Sequence, residues 1–267
     1  MHDIDKLNSL VDKRMATIKA DLKSGKQKKE DLSPEFGALL EGKTQVYHRR
    51  YKWLTVALWL LGIGFVLGAP NVAVVLASLG IMYLWYDLYS GVLHIVLDHP
   101  AHVAVPVLSA PCLEFQWHHH LPRDIVSKSY MEVCGDLNTV ACILSVIHLF
   151  GWGLYNSPVG RCVLGCKLLM AYFGQYCHRM SHALRKDRPA AVQFLQDKGL
   201  MLSASAHGMH HKTYDDMFCI GSGVCNPFLA WCRRNVTSNP SIWLVVFLVA
   251  SIVDCVLLTR LIESLLL

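Results

Sequence analysis

Trp53–Ala69 reads WLTVALWLLGIGFVLGA, seventeen residues without a charge. A helix crosses the hydrocarbon core of a bilayer with roughly 20 apolar residues, within a range of about 17–25, so this stretch is read as a membrane span. Working outward, Val72–Tyr86 follows the turn at Pro70-Asn71 and reaches span length if it continues through Asp87 to about Val92. Leu137–Tyr155 and Ile242–Leu258 are long enough, and Cys162–Cys177 is weaker because it contains Lys167. Hydrophobic residues make up 53% of the chain and charged residues 17%, more apolar than an ordinary soluble domain. The expected fold is all-α, an integral membrane helical bundle with four to five spans. The expected division is a cytoplasmic N-terminal tail over 1–50, a membrane domain over 51–240, and an extra apolar segment over 241–267.

The first fifty residues are polar and charged with no apolar core. No signal peptide is visible in them, so the first span is expected to act as an uncleaved anchor. Arg49, Arg50 and Lys52 flank that span on its N-terminal side, which places the N-terminus in the cytoplasm by the positive-inside rule. Following the runs, the chain returns near Ser90 and again near Cys177. Arg161 and Lys167 then fall towards the far side, against the rule. The net charge of +5 is modest, and the basic residues of the tail are mixed with acidic ones; nothing implies nucleic-acid binding, and a solvated tail near anionic headgroups accounts for them. Ten cysteines include no C-x-x-C pair, and reduced, buried thiols are expected.

Histidine is unevenly placed. Four clusters stand beside the apolar runs: H-x-x-x-D-H ending at His99, the triplet His118–His120, His178 with His182, and His207 with His210 and His211. On the inferred topology all four lie on the cytoplasmic side, at or just beyond helix ends. Residues four apart share a helix face, so His178 and His182 face one way, as do His94 and Asp98. His207, His210 and His211 combine spacings of three and four and can converge. The adjacent His118 and His119 diverge by about 100° on a helix; they can serve two ions or sit on an irregular segment. Neutral imidazole ligates iron, zinc, copper or nickel, and a redox role favours iron. Eight histidines and an aspartate exceed the four ligands of one zinc site, so two ions fit better.

Any single H-x-x-x-H is weak evidence, whereas four clusters at helix ends are strong. The bland readings stand elsewhere. His2, His48 and His102 are read as solvated, and His148 as a neutral, hydrogen-bonded contact inside a span. His99 and His120 read as neighbours of the ligands rather than ligands. Asp215 and Asp216 can accept hydrogen bonds from the ligands' outer nitrogens or be solvated. Asn226, after the turn Gly221-Ser222-Gly223, is a turn residue or an amide facing metal or water.

SGVLHIVLD (Ser90–Asp98), FQWHHHLP (Phe115–Pro122), QYCHRMSH (Gln175–His182) and HGMHH followed by YDDMFCIGSGVCNP (His207–Pro227) resemble the lipid desaturases of the Kua type, a group that includes plasmanylethanolamine desaturase, bacterial CarF proteins and a plastid palmitate desaturase. The resemblance runs from about Leu84 to Phe228. It implies a membrane enzyme with two non-haem iron ions that uses O2 to desaturate a lipid chain. It implies His94, Asp98, His118, His119, His178, His182, His207, His210 and His211 as metal residues, with Asn226 matching an asparagine of the closing motif. His99, His120 and the apolar C-terminus depart from the pattern. A phospholipid substrate, the endoplasmic reticulum, and an external electron donor such as cytochrome b5 follow as expectations. Formation of the vinyl-ether bond of plasmalogens is the leading expectation. Acyl-chain desaturation and lipid hydroxylation are its alternatives. A non-catalytic metal or haem carrier is the rival from another class; two axial histidines suffice for haem and leave the other clusters unexplained.

Overall fold

The computed structural model describes residues 20, 21, 23–26, 52–99, 102, 105, 108, 111, 112, 115, 118, 119, 122, 124–127, 129–135 and 137–267. Among them every regular element is a helix. These are α1 (Lys52–Leu67), α2 (Val72–Leu97), α3 (Asp124–Ser127), α4 (Tyr130–Gly135), α5 (Asn138–Val146), α6 (Pro158–His182), α7 (Ala190–Asp197), α8 (Ala204–Thr213), α9 (Asn226–Asn235) and α10 (Pro240–Leu266). A π-helical turn, Ile147–Gly151, extends α5. Most of the expected N-terminal tail lies outside the described residues, as do His2, His48 and His120.

Three helical runs are long and apolar enough to cross a membrane: Val72–Leu97, Tyr130–Gly151 and Pro240–Leu266. The opening stretch forms α1, whose 16 residues span about 24 Å at 1.5 Å per residue, short of the hydrocarbon thickness. α6 has the length, 25 residues, but carries Arg161, Lys167, His178, Arg179 and His182 and lacks the hydropathy.

Local chemistry sets the helix starts. Asn71 accepts from the Val74 N–H at 3.0 Å and opens α2. The Ser157 hydroxyl accepts from the Gly160 N–H at 2.9 Å, with Pro158 in the first turn of α6. Ser203 caps α8 through the Ala206 N–H at 3.1 Å, and Asn239 caps α10 through the Ser241 N–H at 2.9 Å. Each side-chain oxygen satisfies a donor that the first helical turn leaves open.

α6 is the hub, packed against α1, α2, α10 and α8. It crosses α1 where a Cβ on Gly165 would stand 2.6 Å from the Gly62 carbonyl oxygen, so the backbones meet only because glycine is there. α2 runs parallel to α6, and α10 packs along both. At the far end of α2, a Cβ on Gly91 would come within 2.3 Å of Leu229 and 2.8 Å of Cys219 Sγ, which seats α9 and the segment before it directly on α2. All ten cysteines are free thiols.

Candidate metal centre

α2 and α6 end at the same level, and the site forms there. α2 delivers His94 and, at its C-cap, Asp98, whose N–H donates to the His94 carbonyl at 2.8 Å. The last turns of α6 deliver His178 and His182. α8, closed by Tyr214 at φ 57, delivers His207, His210 and His211, and a short helical piece brings His118 and His119.

The ligand atoms fall into two adjoining groups. His118, His178, His182, His207 and His211 each offer a nitrogen within 4.8 Å of the others, and His94, Asp98 and His210 form the second group by the same measure. His119 joins the second through its Nε2, 2.9 Å from Asp98 Oδ1. The groups touch: the ring centroids of His94 and His178 are 5.5 Å apart, those of His207 and His210 5.6 Å. Helix geometry divides the neighbours. His118 and His119 diverge, one to each group. In α8 the i, i+4 pair His207 and His211 shares the first group, while His210 turns to Asp98; the three do not all converge.

The arrangement fits a bound cation. His178 Nε2 lies 2.9 Å from His207 Nε2, which lies 3.1 Å from His211 Nε2, itself 3.1 Å from His118 Nε2. A neutral imidazole carries one N–H. The Nδ1 atoms of His118, His207 and His211 are buried without a hydrogen-bond partner. Alternating tautomers pair the Nε2 atoms only by stranding Nδ1–H groups, those of His118 and His207 or that of His211, which have no acceptor; any other assignment sets lone pair against lone pair or N–H against N–H. A shared cation removes the conflict, and nitrogens each about 2.0–2.1 Å from one ion stand about 3 Å apart. In the second group His94 Nε2 is likewise buried without a partner, and His210 Nε2 sits 3.1 Å from Asp98 Oδ2 without hydrogen-bond alignment.

Electrostatics favour ligation. Burial first, and then the neighbouring imidazoles, push the proton affinities of His118 and His207 well below the usual range, and burial brings His211 to about 2. They stay neutral at neutral pH, the form that binds metal. Burial raises the Asp98 pKa, but the hydrogen bond from His119 and the close approach of His210 outweigh it and hold the carboxyl below its usual range. The centre thus combines neutral imidazoles, His118, His207 and His211 among them, with one buried carboxylate.

The surroundings differ in part from the sequence-based expectations. Asp216 meets the site through its main chain: its carbonyl lies 2.9 Å from His210 Nδ1, and its carboxylate accepts from the Met217 N–H. The Asp215 carboxylate is exposed and faces Arg233 at 3.4 Å. Asn226 Oδ1 accepts from the Cys219 N–H at 2.9 Å and fastens the glycine loop. His99 belongs to neither group; its ring lies 5.5 Å from that of His102. His102, expected to be solvated, is buried, with Nδ1 2.6 Å from the Val96 carbonyl. His102 comes back to the Val96 carbonyl of α2, which a lone histidine in the sequence could not reveal.

Sequence reading gave Asp87 no role and took Ser90, with Gly91, only as a small residue that lets helices approach closely. Asp87, buried inside α2, accepts from the N–H groups of Ser222, Gly223 and Cys225 at 2.6, 2.9 and 3.0 Å. The Ser90 hydroxyl accepts from the Ile220 N–H at 3.1 Å. Together they hold the loop between α8 and α9, and with it Phe218 against His210 at 5.2 Å. An acid within an apolar run was the available signal. A cavity of about 380 Å³ lined by Trp59, Ile63, Tyr130, Leu169, Tyr172, Phe173 and Tyr176 opens between α1, α4 and α6. Tyr176 and His178 diverge by about 200° on the helix, so this cavity lies on the side of α6 away from the metal-binding face.

Comparison with known proteins agrees with this centre. Residues 83–235 match the lipid desaturase domain. The chain is 30% identical over 148 residues to chloroplastic fatty acid desaturase 4 of Arabidopsis thaliana, covering 55% of this chain and 45% of the relative. It is 28% identical over 152 residues to plasmanylethanolamine desaturase of Myxococcus xanthus, covering 54% of this chain and 52% of the relative. The chain thus spans about half the length of the curated relatives it matches. No solved structure matches it. The matched segment holds all nine residues that converge at the ends of α2 and α6, and the chain belongs to the lipid desaturase domain family.

Proposed function

We propose that this chain is an oxygen-dependent membrane lipid desaturase with two non-haem iron ions, acting on a phospholipid. The observation that carries the proposal is the pair of adjoining, buried imidazole groups with one carboxylate, inside a lipid desaturase domain. His118, His178, His182, His207 and His211 would hold one ion, and His94, Asp98 and His210 the other, with His119 bound to Asp98. The irons, when bound, supply the oxidising power of O2 needed to take hydrogen from an unactivated C–H bond. The protein's part is to keep the imidazoles neutral and dry, to hold Asp98 ionised between His119 and His210, and to fix the His210 ring through the Asp216 carbonyl. The lipid chain must also be held with one methylene at the centre, since its position decides which bond forms.

In this reading the bundle has four to five spans, with α1 and α6 crossing beside the three apolar runs. The 1–50 tail and the metal centre face the cytoplasm of an endoplasmic reticulum membrane. Residues 51–240 form the desaturase domain, with 241–267 added to it. Electrons come from a separate donor such as cytochrome b5, and no nucleic acid takes part. The leading substrate is plasmanylethanolamine, converted to the vinyl ether of a plasmalogen; the Myxococcus xanthus relative supports it. Acyl-chain desaturation is the second reading, favoured by the relatives named fatty acid desaturase. Expression in cells lacking vinyl-ether lipids, followed by assay of acid-labile aldehydes and mass spectrometry of the phospholipids, separates them. New aldehyde supports the first reading. A new acyl double bond without aldehyde supports the second, and products gaining one oxygen identify a hydroxylase instead.

A further inference from the structure

A second concentration of ionisable groups lies deep among the helices, away from the histidine clusters. Lys167 of α6 places Nζ 2.7 Å from each carboxylate oxygen of Asp254 on α10. The Trp85 indole N–H of α2 donates to Asp254 Oδ2 at 2.9 Å. His148, in the π-helical turn, sets Nε2 3.1 Å from the Ser251 carbonyl and 3.4 Å from Asp254 Oδ1. Tyr89 of α2 adds a hydroxyl contact to Ser251 at 2.9 Å, and Lys167 Nζ lies 5.4 Å from its ring centroid. Asp254, His148 and Lys167 are all buried. His148, Asp254 and Cys255 approach one another as metal ligands do, but the Lys167 ammonium already supplies the cation there.

Charged groups are expensive inside a span, and apolar contacts would join the helices at lower cost. What the network adds is register. Trp85 lies nine residues before His94 on α2, and Lys167 eleven residues before His178 on α6. At 1.5 Å per residue these are about 13.5 and 16.5 Å, along two parallel helices that end at one centre. A one-residue slip of α6 against α2 would carry His178 about 1.5 Å past His94, enough to disable a site built to sub-ångström tolerance. We propose that Asp254 is a positioning residue for the metal centre: by receiving Trp85 and Lys167 on one carboxylate, it locks α2 and α6 in the register that brings His94 and His178 together. It follows that α10, outside the matched domain, is part of the working bundle. This rests on the two-metal reading of the clusters.

The test is Co(II) titration of the full chain in lipid nanodiscs after chelation, followed by visible absorption. The wild type should bind two equivalents. Asp254→Asn should weaken binding about tenfold or more, the scale of lost ligand support, and shift the Co(II) bands, with Asp254→Glu recovering part of both. Should Asp254→Asn fail to fold, Trp85→Phe, which keeps both charges, carries the test, with a smaller loss and a band shift. A folded Asp254→Asn, or in its place Trp85→Phe, that titrates like wild type overturns the inference and leaves the two-metal reading standing. A wild type that takes up no Co(II) overturns both.

Discussion

Asp98 and Asp216 both lie beside His210, and they reach it with different atoms. Asp98 brings a buried carboxylate to the imidazoles, whereas Asp216 offers its main-chain carbonyl. Asp98→Asn is therefore expected to lose one metal equivalent and to lower desaturation at least about 100-fold, beyond the 10–100-fold typical of supporting groups. Asp216→Ala keeps the carbonyl and should cost less than about tenfold. Metal analysis of each purified variant, beside its lipid products, checks both. His178→Ala and His207→Ala should behave like Asp98→Asn, while His2→Ala and His48→Ala should leave turnover unchanged. At this scale the sequence was a good guide to which side chains come together. Spacing and residue type marked the imidazoles, because neighbours four apart share a helix face whatever the tertiary fold. Which group each imidazole joins was not legible: His210 turns to Asp98 because of where α2 ends, and that depends on packing.

At the scale of elements, the loop between α8 and α9 depends on α2. Asp87 accepts three N–H groups from residues 222–225, and a hydrogen bond to a charged group contributes about 1.5–3 kcal/mol. Asp87→Ala should lower stability by about 3 kcal/mol or more and expose the loop to proteolysis; thermal unfolding in detergent and limited proteolysis measure the two effects. Gly91→Ala inserts a methyl against Leu229 and Cys219 and should cost about 1–3 kcal/mol as overpacking. In a Leu229→Ala background the Gly91→Ala change should cost less than it does in the wild type, because the nearer contact is gone. Gly91 read as a place where helices approach closely, but the partners in both couplings were hidden in the sequence. Asp87 and the glycine loop are more than 130 residues apart, and an acid in an apolar run signals a partner without naming it. Lys167 likewise read as an irregularity in a weak span until α10 supplied Asp254.

At the scale of the molecule, the bundle gathers at one end of α2 and α6 a set of imidazoles that are frustrated without a cation. Metal bound to the folded state and not to the unfolded chain raises stability by linkage, so chelation should lower the Tm and added iron should restore it. The long apolar runs made the all-helical membrane class legible from composition alone. Span count was less so, since α1 stops at Leu67 and α6 trades hydropathy for the residues it must deliver. The two imidazole groups are proposed to hold two irons used to desaturate a lipid. The measurement that tests this most directly is metal content together with turnover for the purified chain in nanodiscs, supplied with lipid, O2 and a reductant. Two irons per chain, no Soret band, and a phospholipid product that has lost two hydrogens are expected. A chain carrying a single zinc, or one loaded with two irons that leaves every phospholipid unchanged, would contradict the proposal.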